Sequence, residues 1–280
     1  MIPAAFDYRR ATSLDDALKA LAAGDAKVLA GGMSLLPLMK LRLAQPGMLI
    51  DIGRLDELRR VGPTADGGFE VGALVTYAEA MAATSLDFAR DCIDHIGDVQ
   101  VRNRGTIGGS IAHADPASDL PALCLALDYS AVLRSASGER VVPLDGVFQG
   151  AFETDIHPDE ILTSIRRGPL PNGATGAYRK LAHPASGYSI VGVCAVVARD
   201  GGSISHARVA LTGVGEVAYR AKAVESALVG SDGSAEAVAA AVAHATEGQT
   251  VNSDLYADRE YRSSMAEVYT RRAVEAALGR

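Results

Sequence analysis

Two short segments hold residue types that could bind a dense anion. Ala30-Gly31-Gly32-Met33-Ser34 and Thr106-Ile107-Gly108-Gly109-Ser110 each place a glycine pair beside hydroxyl side chains. A diphosphate crowds two negative charges onto neighbouring oxygens. Holding it without lysines requires several backbone N–H groups aimed the same way. Glycine permits the positive φ this needs and lets the main chain come close. Ser34, Thr106 and Ser110 add hydroxyl donors. Neither segment is a G-x-G-x-x-G dinucleotide fingerprint, and neither ends in the Gly-Lys-Ser/Thr of a P-loop. One such pair alone is weak evidence, because on residue types it reads first as a tight turn. Two such pairs flanked by hydroxyls suggest one anion held between them.

The other reactive side chains narrow the chemistry. The three cysteines, Cys92, Cys124 and Cys194, lie far apart and show no C-x-x-C spacing. An iron–sulfur cluster or structural zinc in this chain is therefore disfavoured. Unpaired buried cysteines suit a reducing compartment, and the expected location is the cytoplasm. None of the six histidines sits in H-x-x-x-H or H-E-x-x-H spacing, so metal catalysis has no support. The net charge of -7, with Arg and Lys scattered, argues against nucleic acid as a partner. The N-terminus lacks a signal-peptide pattern. No apolar run approaches the ~18–20 residues that cross a bilayer.

These residues need a frame, and 280 residues at 48% hydrophobic content supply one. Ser13 can cap a helix in which Leu14, Leu18 and Leu21 form one apolar stripe; Asp15 and Asp16 favour its positive end, and Gly24 closes it. A short strand at 27–30 leads into the first glycine segment. Ser34 then opens a helix to about Leu43, and a strand follows at 48–52. The first segment thus lies in a β-loop-α-β unit. A strand over 70–76 feeds a helix from Tyr77 to about Ala82, and helical spacing returns from Leu86 to about Gly97. The second segment reads as a loop before a helix at 120–127. Residues 131–134 and 140–142 pair as a hairpin around Ser137 and Gly138, and 160–165 is another strand.

The turn-rich stretch Gly168 to Gly176 marks a domain boundary. Beyond it, 177–181, 190–198 and 203–211 read as strands, and 221–228, 234–245 and 263–278 as amphipathic helices. The expected fold is α+β. A domain at 1–173, with subdomains near 1–58 and 59–173, precedes a C-terminal domain at 174–280. The latter is a three- or four-stranded antiparallel sheet backed by helices.

The glycine segments also carry a resemblance. Leu29-Ala-Gly-Gly-Met-Ser-Leu-Leu-Pro-Leu-Met39, Val71-Gly-Ala-Leu-Val-Thr76 and Gln100-Val-Arg-Asn-Arg-Gly-Thr-Ile-Gly-Gly-Ser110 are its core. It continues through Ala112-His-Ala-Asp-Pro-Ala-Ser-Asp-Leu-Pro121, Asp159-Glu-Ile-Leu162 and Tyr178-Arg-Lys-Leu181. Together they resemble the FAD-binding medium subunit of the molybdenum hydroxylases, a family that includes carbon monoxide, nicotine, quinoline, caffeine and xanthine dehydrogenases. The resemblance covers essentially the whole chain.

It implies a two-subdomain FAD-binding fold of the vanillyl-alcohol-oxidase type and a small C-terminal domain of the carbon monoxide dehydrogenase flavoprotein type. It further implies that Ala30, Gly31, Gly32, Met33, Ser34, Thr106, Ile107, Gly108, Gly109 and Ser110 grip the FAD diphosphate. Asp119 would accept hydrogen bonds from FAD hydroxyls, while also being a natural N-cap for the helix at Leu120. Leu162 would lie near the adenine or be plain core. Lys180 would lie near the flavin ring or be a solvated surface lysine. Tyr188 would flank the ring and gate it, or be an ordinary half-buried tyrosine. His113 could touch cofactor or simply pack on its own segment. Two positions depart from the family pattern: Met33 stands where Gln or His is common, and Gly187 precedes Tyr188 where an acid is common.

By the same resemblance the chain is an oxidoreductase subunit that needs no acid, base or nucleophile of its own. Its partners would be a small subunit with two 2Fe–2S clusters and a large subunit with a molybdopterin-type molybdenum cofactor. The assembly would be a dimer of heterotrimers, passing electrons from the iron–sulfur clusters through FAD to an external acceptor. The alternatives are a self-contained flavin oxidase or dehydrogenase and a docking subunit without FAD.

Overall fold

The computed structural model describes residues 1–280. Strand β1 (Asp7–Arg10), helix α1 (Leu14–Leu21), β2 (Ala26–Leu29), α2 (Leu35–Lys40) and β3 (Met48–Asp51) build the first unit. Its three strands are parallel in the order β1-β3-β2. Ser13 caps α1 by accepting from the Asp16 N–H, as the sequence indicated. Leu14, Leu18 and Leu21 are buried there against Ile50 and Ile52. Helix α2 stops at Lys40 rather than Leu43, because Arg42 turns into the left-handed region at φ 62°.

The second unit has β4 (Val61–Pro63), β5 (Phe69–Gly72), α3 (Tyr77–Ala83), α4 (Asp87–Asp94), α5 (Val99–Arg102), α6 (Ile107–His113) and α7 (Asp119–Ala126). Next come β6 (Ser130–Ser135), β7 (Gly138–Pro143), a small β8–β9 hairpin (Phe148–Gly150, Glu153–Thr154) and β10 (Ile161–Arg167). The antiparallel sheet runs β4-β5-β10-β6-β7. A capping box of Thr76 and Glu79 starts α3.

The C-terminal unit has β11 (Thr175–Ala182), β12 (Ser189–Asp200), β13 (Ser203–Thr212) and β14 (Tyr219–Arg220), antiparallel in that order. Helices α8 (Lys222–Leu228), α9 (Ala235–Val242) and α10 (Arg259–Ala277) follow. Helix α10 begins four residues before the expected Ser263, because Asp258 accepts from the Tyr261 N–H and caps it.

Alternation along β12 joins the units. Cys194 and Val196 belong to one core with α7 and the five-stranded sheet, while Val193, Ala195 and Val197 belong to the core beneath α8, α9 and α10. Helix α7 is buried along its whole length, from Asp119 to Ala126. Its apolar circumference explains that: a helix hydrophobic all round must be enclosed. No helix is long and apolar enough to cross a membrane.

Candidate functional site

The first glycine segment links β2 to α2. Gly32 has φ 76°, a conformation that costs an L-residue ~1–2 kcal/mol. The N–H groups of Gly31, Gly32, Met33 and Ser34 have no acceptor within the chain. Ser34 stands at the start of α2, but its hydroxyl makes no capping hydrogen bond. Met33 is exposed.

The second segment is not a loop. Thr106 is the N-cap of α6, and Gly108 and Gly109 lie in the first turn of that helix. The chain is pinned to the strand–helix turn before α3: Tyr77 N–H donates to Gly105 O (3.1 Å) and Ile107 N–H to Val75 O (2.9 Å). Gly108 N–H donates to Ala73 O (2.9 Å). Gly109 N–H donates to Thr106 Oγ1 (3.1 Å), and Ser110 N–H to Thr106 O (3.0 Å). The amides expected to face an anion are thus already paired. Gly108 is instead a packing glycine, since a Cβ there would stand 2.5 Å from Ala73 Cβ and 2.8 Å from Leu162 Cδ2. Gly109 is exposed, and a Cβ there would meet only Thr106 Oγ1 at 2.7 Å.

The two segments touch. A Cβ on Gly31 would stand 2.0 Å from the carbonyl oxygen of Arg104 and 3.2 Å from Gly105 Cα. Arg104 Nη2 reaches toward Gly31 O at 3.5 Å. Glycine at position 31 is therefore what allows the main chains to meet. The free amides of one segment lie beside Gly105, just before the start of α6, and beside the exposed Arg104 guanidinium. Such an array suits an anion approached closely by main chain. Leu162, at a bulge of β10 and itself buried, covers Gly108.

A second cluster sits at the start of α7. The N-cap position belongs to Ser118, and Asp119 is the first helical residue with its side chain buried. Asp119 Oδ1 accepts from the Tyr178 hydroxyl and from Ser189 Oγ (2.7 Å). Its Oδ2 accepts from Lys180 Nζ at 2.8 Å. Lys180 is no surface lysine, with 2% side-chain exposure, and it also donates to His95 O (3.1 Å). Tyr188 lies on the turn after β11, where its carbonyl accepts from the His183 N–H (2.8 Å) and Gly187 takes φ 73°. Tyr188 is half exposed, and its partial burial raises the phenol above its ordinary value, helped by the charges of Asp115 and Asp119. Burial also raises Tyr77, which feels Ser110, Asp119 and Tyr188. Ser110 Oγ lies 3.1 Å from Ser118 Oγ, and the Ser189 N–H donates to Ala117 O (3.3 Å), so Ser110 and Tyr188 flank the start of α7. His113 packs against Phe152 with ring centroids 5.1 Å apart, and burial lowers its pKa.

Tyr178, Ser189 and Arg104 were not among the expected site residues. Tyr178 and Ser189 are 59 and 70 residues from Asp119, and no local pattern links residues so far apart.

The family model of the FAD binding domain in molybdopterin dehydrogenase matches residues 4–169, and that of the CO dehydrogenase flavoprotein C-terminal domain matches residues 176–277. The chain belongs to the FAD-binding medium subunits of the molybdenum hydroxylase family. Within this family the carbon monoxide dehydrogenase medium chain of Hydrogenophaga pseudoflava is 39% identical, covering 100% of this chain and 99% of that one. The 6-hydroxypseudooxynicotine dehydrogenase complex subunit alpha of Paenarthrobacter nicotinovorans is 34% identical, covering 100% and 97%. A solved carbon monoxide dehydrogenase from Hydrogenophaga pseudoflava superposes with a TM-score of 0.96 at 40% identity, covering 100% and 99%. Quinoline 2-oxidoreductase from Pseudomonas putida 86 gives 0.92 at 33% identity, again covering 100% and 99%. As a family member the chain is an FAD-binding oxidoreductase subunit, and the free amides at the first glycine segment fit that cofactor's diphosphate.

Proposed function

We propose that the FAD diphosphate is held where the two glycine segments meet. The observation that carries this is the contact of Gly31 with Arg104, which sets the unpaired amides of Gly31 to Ser34 beside the start of α6. In this reading Ala30 to Ser34 supply main-chain donors. Thr106 to Ser110 supply a close-packed wall and the Ser110 hydroxyl. Asp119 accepts from an FAD hydroxyl, Leu162 lies by the adenine, Lys180 lies near the ring system, and Tyr188 gates it. FAD bound here would supply two-electron redox chemistry between a partner chain and an external acceptor. The partners are a small iron–sulfur subunit and a large molybdenum subunit, joined with this chain as a dimer of heterotrimers. That step is supported by relatives described as medium chains and complex subunits. We further place the domain division at 173/174, in the linker between β10 and β11.

The test is the flavin content of the purified full-length chain, alone and co-expressed with the chains encoded beside it. Stoichiometric FAD, and co-purification with an iron- and a molybdenum-containing chain, are the expected results. A chain that binds no FAD in either form would overturn the proposal. An FAD-loaded chain that turns over a substrate without partners would replace it with a self-contained flavoenzyme.

A further inference from the structure

Asp119 begins a helix of the FAD-binding region, yet all three side chains that hold its carboxylate come from the C-terminal sheet. Tyr178 and Lys180 are two residues apart on β11, so they point to the same face of the sheet. Ser189 opens β12 and is buried. The neighbouring backbone leaves room for this group of hydroxyls. Gly192 stands opposite Lys180 in the β11–β12 ladder. A Cβ at Gly192 would lie 2.5 Å from the Tyr178 hydroxyl and 3.0 Å from Ser189 Oγ, so a side chain there would displace both donors.

We infer that Tyr178 and Ser189 are positioning residues of the cofactor site: they hold the Asp119 carboxylate, and the C-terminal sheet must dock on α7 for that site to be complete. The inference rests on the reading that Asp119 meets an FAD hydroxyl. An ionised carboxylate offers about four acceptor positions. Tyr178, Ser189 and Lys180 occupy three, and one remains for a hydroxyl donor. Lys180 neutralises the charge, which a buried carboxylate requires. The Tyr178 phenol stays protonated, because burial and the neighbouring carboxylate both raise its pKa. With two hydroxyls on Oδ1 and an ammonium on Oδ2, the carboxylate plane is fixed before any ligand arrives.

The experiment measures FAD affinity of the full-length chain by flavin fluorescence, and the thermal midpoint of the FAD-free chain. The variants are Tyr178→Phe, Ser189→Ala, Ser189→Thr, Asp119→Ala and the double variant Tyr178→Phe/Asp119→Ala. Tyr178→Phe and Ser189→Ala should each weaken FAD binding about tenfold, the scale of one hydrogen bond to a charged group. Ser189→Thr keeps the hydroxyl and should restore affinity. In the Asp119→Ala background Tyr178→Phe should have no further effect on affinity, because its target is gone. If Asp119→Ala does not fold, the Ser189→Ala and Ser189→Thr pair decides. Wild-type affinity in both Tyr178→Phe and Ser189→Ala, or equal weakening by Tyr178→Phe with and without Asp119, would overturn the inference alone. A wild-type chain that binds no FAD would overturn the functional reading beneath it.

Discussion

Gly31 to Ser34 and Thr106 to Ser110 each carry a glycine pair and a hydroxyl side chain, but their amides go to different places. In the first segment the N–H groups are unpaired and a serine sits at the helix start without capping it. In the second, a threonine caps a helix and the N–H groups of Ile107, Gly108, Gly109 and Ser110 all have acceptors. Glycine thus does two separate things here. It leaves main-chain donors available in one segment, and in the other it lets a helix lie against Ala73 and Leu162. A glycine pair beside a hydroxyl is therefore not by itself a statement about which atoms face a ligand.

Substitutions can break this contrast. The largest effect is expected for Gly31→Val, whose side chain would run into the Arg104 carbonyl and force the segments apart. Purified Gly31→Val chain should carry no FAD; a normal flavin spectrum would mean that contact between the segments is unnecessary. Gly108→Val should come next, overpacking against Ala73 and Leu162 at a cost of ~1–3 kcal/mol, seen as a lower unfolding midpoint even without cofactor. Its neighbour Gly109→Ala would displace only the Thr106 hydroxyl, so it should leave the stability of the FAD-free chain within about 1 kcal/mol of wild type, the scale of one cap, and weaken FAD instead. Equal loss of stability at both positions would refute the distinction.

Capping should separate the segments further. Thr106→Val removes the acceptor of the Gly109 N–H and should cost ~1 kcal/mol. Ser34→Ala should leave the FAD-free chain unchanged in denaturant titration, since that hydroxyl caps nothing. The smallest effect concerns pH. Burial holds the pKa of His113, on α6, below the usual histidine value of 6.5. Above that pH both folded and unfolded chains are neutral at this residue. Below it the unfolded chain takes up a proton that the folded chain resists, so stability falls with acid until the folded pKa is passed. His113→Gln should flatten part of that fall, leaving the part due to His206, whose pKa burial lowers too. The first segment contains no group titrating in this range.

The sequence made the capped helix α1, the β2–α2–β3 unit, the β6–β7 hairpin and the C-terminal sheet legible, because each follows from local periodicity and turn residues. Helix α6 was not legible. Gly108 and Gly109 are poor helix formers, and the helix exists because Thr106 caps it and Gly108 fits against Ala73. Strand β1 was hidden too: Asp7, Tyr8, Arg9 and Arg10 are all exposed and alternate in nothing, so only backbone pairing with β3 makes them a strand. Asp119 was legible as a helix-start acid. That Lys180 lies buried against it was not, since a lysine on a strand ordinarily faces water.

The separation of that pair along the chain sets an order of events during synthesis. Lys180 follows Asp119 by 61 residues, so at ~5–20 residues per second it leaves the ribosome roughly 3–12 s later. For that interval the nascent α7 has its acid but not its base. Early burial of the helix would strand a lone charge, which favours keeping Asp119 ionised and in contact with water until β11 arrives. The sheet that completes the central core thus also carries the lysine that permits it to close.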